Sequence, residues 1–124
     1  MLNNIKPPLI WNRDNDFNNS NKIDPYNKIM NQFMDEDILF KVVKKNGSIK
    51  NLNKLDCELL SNALANEIYK LTLGNSSNQL KIFAVIGASE ESVIFMLSSL
   101  LLGAHHSICF EDLSEDAILE RVKI

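Results

Sequence analysis

The chain has 124 residues, of which 45% are hydrophobic and 23% charged, and its formal net charge is −3. That is the length of one ordinary domain, able to bury roughly two-thirds of its unfolded surface. Four glycines and three prolines exclude a collagenous or wholly disordered class, and the acidic balance argues against a cationic nucleic-acid binder.

The N-terminal third is polar and irregular. All three prolines and nine of the sixteen asparagines lie within the first 31 residues, and the run from Asn12 to Asn21 has no period. Residues 1–36 therefore read as an Asn-rich, loosely ordered arm, with Trp11, Phe17 and Tyr26 as docking points. Its opening, Met1 to Pro8, holds no apolar run of the signal-peptide kind.

Order is predicted from residue 37 onward. Ile38 to Lys44 is β-branched and aromatic, Asn46-Gly47 is a hairpin turn signal, and Ser48 to Leu52 returns as a second strand. Asn53 and Asp56 form a capping pair. Leu55, Leu59, Leu60, Ala63, Leu64, Ile68 and Leu71 then recur at helical spacing up to Gly74. Leu80 to Ile86 is apolar apart from Lys81, the pattern of a strand buried on both faces of a parallel sheet. Ser89 is placed to cap a helix that runs to Gly103, with Glu90 and Glu91 favourable against its dipole. His105 to Phe110 reads as the next strand, which closes a β-α-β unit, and Ser114 caps a last helix. The expected fold class is α/β: a β-hairpin and helix, then a parallel β-α-β unit. Two sheet strands and few helices leave apolar surface open, expected at Ile82 to Val85 or along Val93 to Leu101.

Local chemistry is sparse. Cys57 and Cys109 lie far apart in apolar stretches without zinc-type spacing, and read as reduced thiols of a cytoplasmic protein. Val93 to Ala104 would span only ~18 Å as a helix, too short for a bilayer. His105 and His106 point to opposite faces of a strand and cannot chelate one ion together. Ser107 has no base partner beyond them and no elbow glycines. Phe95 and Met96 read as core. Lys41, Lys44, Lys45, Lys50 and Lys54 cluster around the hairpin without the aromatic interleaving of a nucleic-acid platform. Residues 81–124 carry a net charge of −4 against +1 for residues 1–80, much of it in acidic helix starts.

One longer pattern stands out. Glu91-Ser92-Val93, Met96-Leu97, Gly103-Ala104-His105-His106-Ser107, Phe110 and Leu113-Ser114-Glu115-Asp116-Ala117 follow one another at fixed spacing. This run resembles, without a gap from about Ile82 to Ile118, the AMP-forming acyl-CoA synthetases, and within them the acetyl- and propionyl-CoA synthetase branch. Leu52 to Asp56 and Leu64 to Ile68 are similar to upstream motifs of that family, and Pro8 to Trp11 and Asp24 to Lys28 to its leader.

The resemblance implies that residues 37–124 form an incomplete N-terminal part of an adenylate-forming synthetase domain. The full-length family joins an acid to CoA, using ATP and Mg and releasing AMP and pyrophosphate. It also implies that Phe110, Glu111 and Asp112 occupy positions that face the CoA nucleotide. There Glu111-Asp112 replaces small residues, and Leu101 stands where the family commonly has Arg. The family's Gly-rich phosphate loop ending in lysine has no counterpart among four isolated glycines. The expectation is therefore a segment with no catalytic residue, cofactor or metal of its own. Its partner would be a complementary synthetase chain, or itself through exposed apolar surface, with no nucleic acid and no membrane. A last helix that reaches Ile124 in mid-pattern reads the same way. The alternative is a non-catalytic interaction module docking on a partner chain or a full-length synthetase.

Overall fold

The computed structural model describes residues 24–72 and 80–123. Among them lie α1 (Pro25–Met30), β1 (Ile38–Val43), β2 (Ile49–Asn53), α2 (Lys54–Leu71), β3 (Lys81–Val85), α3 (Glu90–Leu102), β4 (His105–Cys109) and α4 (Glu115–Val122). β1 and β2 pair antiparallel, and β3 and β4 pair parallel with Lys81 beside His105 and Val85 beside Cys109. The α/β class, the hairpin and the parallel pair joined by a helix are as the sequence predicts. Trp11, Phe17 and Gly74 lie outside the described residues.

The expectation of a loosely ordered arm through residue 36 gives way at Asp24. Asp24 caps α1 by accepting a hydrogen bond from the Asn27 N–H at 3.0 Å, and Pro25 presets the first turn. Six residues are far below the ~12–15 that an isolated helix needs, so α1 depends on what it buries. Tyr26 and Met30, one turn apart, are both inside the core, and full burial of a side chain like Met30 is worth about 1.5–3 kcal/mol. The Tyr26 hydroxyl lies 2.7 Å from Ser61 Oγ of α2. Farther on, Asp35 and Asp37 accept backbone hydrogen bonds from Leu55 and Lys54, so the chain ahead of β1 ties down the start of α2. Asn53 caps the same helix through the Asp56 N–H at 2.8 Å.

α2 has the predicted period, but of its predicted apolar positions Ala63, Leu64 and Ile68 are half-buried and the others are exposed. Leu55, Leu59 and Leu60 are exposed, whereas Cys57, Ser61 and Ala65, each four residues apart, are wholly buried. These small side chains let α3 approach closely, in the manner of ridge-into-groove packing along a row of i, i+4 positions. The buried side of α3 supplies Leu97, Ser98 and Leu101. Ser98 Oγ lies 2.7 Å from the Ile94 carbonyl and 3.0 Å from the Ser61 carbonyl, and Ser99 Oγ bonds the Phe95 carbonyl at 2.8 Å. No buried side-chain polar atom among the described residues lacks a partner. Tyr26, Met30, Leu52, Cys57, Ala65, Leu97 and Leu101 form one cluster where α1, the hairpin, α2 and α3 meet.

α3 begins at a reciprocal capping box of Ser89 and Ser92 and ends with Gly103 left-handed at φ 63°. The Ala104 N–H reaches back to the Ser99 carbonyl, which closes the helix and turns the chain into β4. Phe95 is buried as expected, but Met96 is exposed on the far side. The expectation that β3 is buried on both faces also fails. Ile82, Phe83 and Ala84 are half-buried and Val85 is exposed, because among the described residues the sheet has only two strands, and beyond α3 on one face only the last turn of α4 lies near the other. Of the two stretches expected to stay open, Ile82 to Val85 does so only in part, exposed at Val85, while the Val93 to Leu101 side is largely buried against α2. No helix of the described residues is long and apolar enough to cross a membrane.

Two outcomes test this packing. Ala65→Leu forces a branched side chain into the α2–α3 contact and lowers stability by about 1–3 kcal/mol, whereas Leu59→Ala on the exposed side stays within about 0.5 kcal/mol; urea midpoints separate the two. Burial raises the Cys57 thiol from 9.0 to about 11. Above pH 9 the unfolded chain therefore gives up this proton while the native chain keeps it, so stability falls from about pH 9 to about pH 11. Cys57→Ala removes that part of the fall, as read by urea unfolding at stepped pH.

Candidate functional site

The residues that the resemblance assigns to a CoA nucleotide lie in the turn between β4 and α4, at the carboxyl ends of the parallel strands. In open α/β sheets ligands commonly bind at that end. Three features build it here: the turn after β3 at Gly87, the start of α3 at Ser89 to Glu91, and the turn Phe110 to Ser114. Phe110 projects outward, 64% exposed, and Glu111 and Asp112 are exposed beside it.

Glu111 reaches back across the strand ends. Its Oε1 accepts a hydrogen bond from the Gly87 N–H at 3.1 Å, and a Cβ at position 87 would lie 3.4 Å from that oxygen. A backbone N–H near a helix start is the kind of donor an anionic ligand would use. In this chain a carboxylate of the chain itself takes it.

The start of α3 is also occupied by negative charge. Glu90 Oε1 pairs with Lys50 Nζ at 2.7 Å, joining the hairpin to α3 across forty residues of sequence. That hydrogen bond, ahead of the opposing effect of desolvation, raises the Lys50 pKa. Glu91 is held below the ordinary carboxylate range, first by its own backbone N–H, then by the Ser89 hydroxyl, with Lys50 and Lys44 adding smaller attractions. Four carboxylates, Glu90, Glu91, Glu111 and Asp112, thus surround this end of the sheet, and among the described residues Lys50 is the one cation in a salt bridge with any of them. A carboxylate facing a phosphate oxyanion at 4 Å costs about 4 kcal/mol at an effective dielectric of 20. These residues do not fit a CoA nucleotide.

His106 packs its ring edge-on against Phe95 of α3, centroids 5.9 Å apart. Alternation along the strand then puts His105 and Ser107 on the opposite face, so the two imidazoles diverge. Among the described residues no three His, Cys, Asp or Glu side chains gather as metal ligands. The structure thus brings Phe110, Glu111 and Asp112 into one turn but points their chemistry away from an anion. The Glu111–Gly87 bond was beyond sequence reasoning, since nothing local marks a side chain that closes a 24-residue separation.

Comparison of the chain with protein-family models, with curated proteins and with solved structures finds no match.

Glu111→Ala frees the Gly87 N–H with little loss of stability, about 0.5 kcal/mol or less at so exposed a site. Amide hydrogen exchange read by NMR should show Gly87 exchanging faster in this variant, while residues 94–101 of α3 keep their protection.

Proposed function

We propose that this chain is the N-terminal segment of a protein like the AMP-forming acetyl- or propionyl-CoA synthetases, and that it performs no catalysis alone. The observation that carries this reading is the ungapped run of similar residues from Ile82 to Ile118, centred on Gly103-Ala104-His105-His106-Ser107 and Phe110. The positions of that run divide sensibly among structural elements, which supports it. Its apolar block lies on α3, its Gly-Ala step on the left-handed turn and the first residue of the link to β4, and its Leu-Ser step at the cap of α4.

In the full-length family an acid is first adenylated by Mg-ATP and then transferred to CoA. The phosphate loop that this chemistry requires is not in this sequence, and the end of the sheet nearest the CoA positions is acidic. The segment's contribution is a surface for assembly. Exposed Leu55, Leu59 and Leu60 on α2, together with the half-buried face of β3, give it apolar area to set against a complementary synthetase chain or a second copy. Two buried thiols suit a reduced, cytoplasmic setting.

The carboxylate of Glu111 on the Gly87 amide favours a second reading, a non-catalytic module that docks on a full-length synthetase and is released from the need to bind CoA. Both readings expect the purified chain, supplied with acetate or propionate, Mg-ATP and CoA, to release no pyrophosphate and form no acyl-adenylate. Acyl-adenylate formation by the chain alone would sink both. The coding sequence adjoining codon 124 separates them: a frame that encodes a Gly-rich loop ending in lysine supports the synthetase segment, and its absence supports the module.

A further inference from the structure

The opposite end of the parallel pair has the opposite character. A cavity of about 600 Å³ opens at the amino ends of β3 and β4, bounded by Lys81 and Phe83, by His105 and Ser107, and by Arg121 and Val122 in the last turn of α4. In the strand register Lys81 lies beside His105 and Phe83 beside Ser107, so these four share one face. It is the face turned away from α3, because His106, on the other side of β4, is the histidine that meets Phe95. The volume lies within the few hundred to a thousand Å³ typical of small-ligand sites, which are mostly apolar with a few convergent polar groups.

Charge decides what such a site would hold. On that face its lining offers a lysine, an arginine, the His105 imidazole and a serine hydroxyl, but no carboxylate. Elsewhere among the described residues Lys50 pairs with Glu90, Lys54 with Asp35 and Glu58, Lys70 with Glu67, and Lys123 with Glu120, while Lys28, Lys41, Lys44 and Lys45 form no salt bridge but line no part of this cavity. Lys81 and Arg121 form no ion pair among the described residues, and the nearby α4 carboxylate of Glu120 is engaged by Lys123 at 3.4 Å. Two unpaired cations therefore stand at a concavity whose walls include Phe83 and Val122.

We propose that this cavity binds an amphipathic anion: a small molecule with one carboxylate or phosphate head and an apolar body. Lys81 and Arg121 hold the head, Arg121 through the forked geometry of its guanidinium. Phe83 and Val122 cover the body, and Ser107 offers a hydroxyl. The site lies at the far end of the strands from Glu111 and does not depend on the synthetase reading.

The full chain, labelled with ¹⁵N and titrated below micelle-forming concentrations, tests this by amide chemical shifts. The probes are octyl phosphate, octanoate, octylamine and inorganic phosphate. Octyl phosphate or octanoate is expected to saturate, with the largest shifts at Phe83, Ser107, Arg121 and Val122, and whichever binds tighter identifies the head. Octylamine, with the same body and the wrong charge, and inorganic phosphate, with no body, should each bind at least about tenfold more weakly. The double variant Lys81→Gln, Arg121→Gln, at two exposed positions, should keep the dispersed spectrum and lose about tenfold in affinity or more. Equal binding of octylamine, unchanged affinity in the double variant, shifts centred elsewhere, or no saturation by either anion up to about 10 mM would each overturn the site. So would an acidic peptide that binds there more tightly than both octyl anions, since it would make the surface a protein contact.

Discussion

The close approach of α2 and α3 is the contact on which the rest of this structure rests. It is made by small residues, and a polar chain runs through it. The Tyr26 hydroxyl meets Ser61 Oγ, and the Ser61 backbone carbonyl meets the Ser98 hydroxyl, so three elements are bonded in sequence inside an apolar cluster. A buried hydroxyl without a partner costs about 1–3 kcal/mol, so once these groups are inside they specify one arrangement. α1 persists as a helix only because Tyr26 and Met30 fit against this pair. The hairpin packs on the same cluster through Leu52, Phe40 and Val42. α3, held in place by α2, carries the parallel strands at its two ends.

Much of this order was legible in the sequence because it is locally encoded. Asn46-Gly47 specifies a tight turn, Ser89 and Ser114 specify helix starts, and Gly103 permits the left-handed stop before β4. Each depends on a few neighbouring atoms. The facing of α2 was not legible in the same way. Leucines at helical spacing normally mark the buried side, yet here the closest contact is reserved for Cys57, Ser61 and Ala65, and Leu55, Leu59, Leu60 and Leu71 are left outside. A rule that ranks residues by hydrophobicity cannot see a contact decided by smallness. The part of the arm from Asp24 onward departs from its composition for a related reason. Its composition is that of a solvated segment, but two side chains one turn apart suffice to dock its last part. As for the candidate site, the sequence reads Phe110 as the last residue of a strand, whereas β4 ends at Cys109 and Phe110 joins Glu111 and Asp112 in the turn, and the contact that decides their chemistry joins Glu111 to Gly87.

The parallel pair is electrically polarised along its length. Its carboxyl ends carry Glu90, Glu91, Glu111 and Asp112, and its amino ends carry Lys81 and His105 with Arg121 beside them. The usual preference for ligands at the carboxyl ends arises from converging helix N-termini and free backbone donors. In this chain acidic side chains already satisfy that field. What remains open to an anion is the other end, where cations stand over an apolar floor.

The two outer edges of that sheet carry a separate cost. Among the described residues neither β3 nor β4 pairs with a third strand, so each presents a free ladder of backbone donors and acceptors. Immediately after Lys81 comes Ile82-Phe83-Ala84-Val85-Ile86, five apolar residues of high β propensity without a proline or a charge. Segments of that composition on an open edge are the ones that recruit copies of themselves into cross-β stacks. Lys81 guards one end of the run, and the other end leads directly into Gly87. How far these edges stay uncovered therefore also sets how concentrated the chain can become before it precipitates.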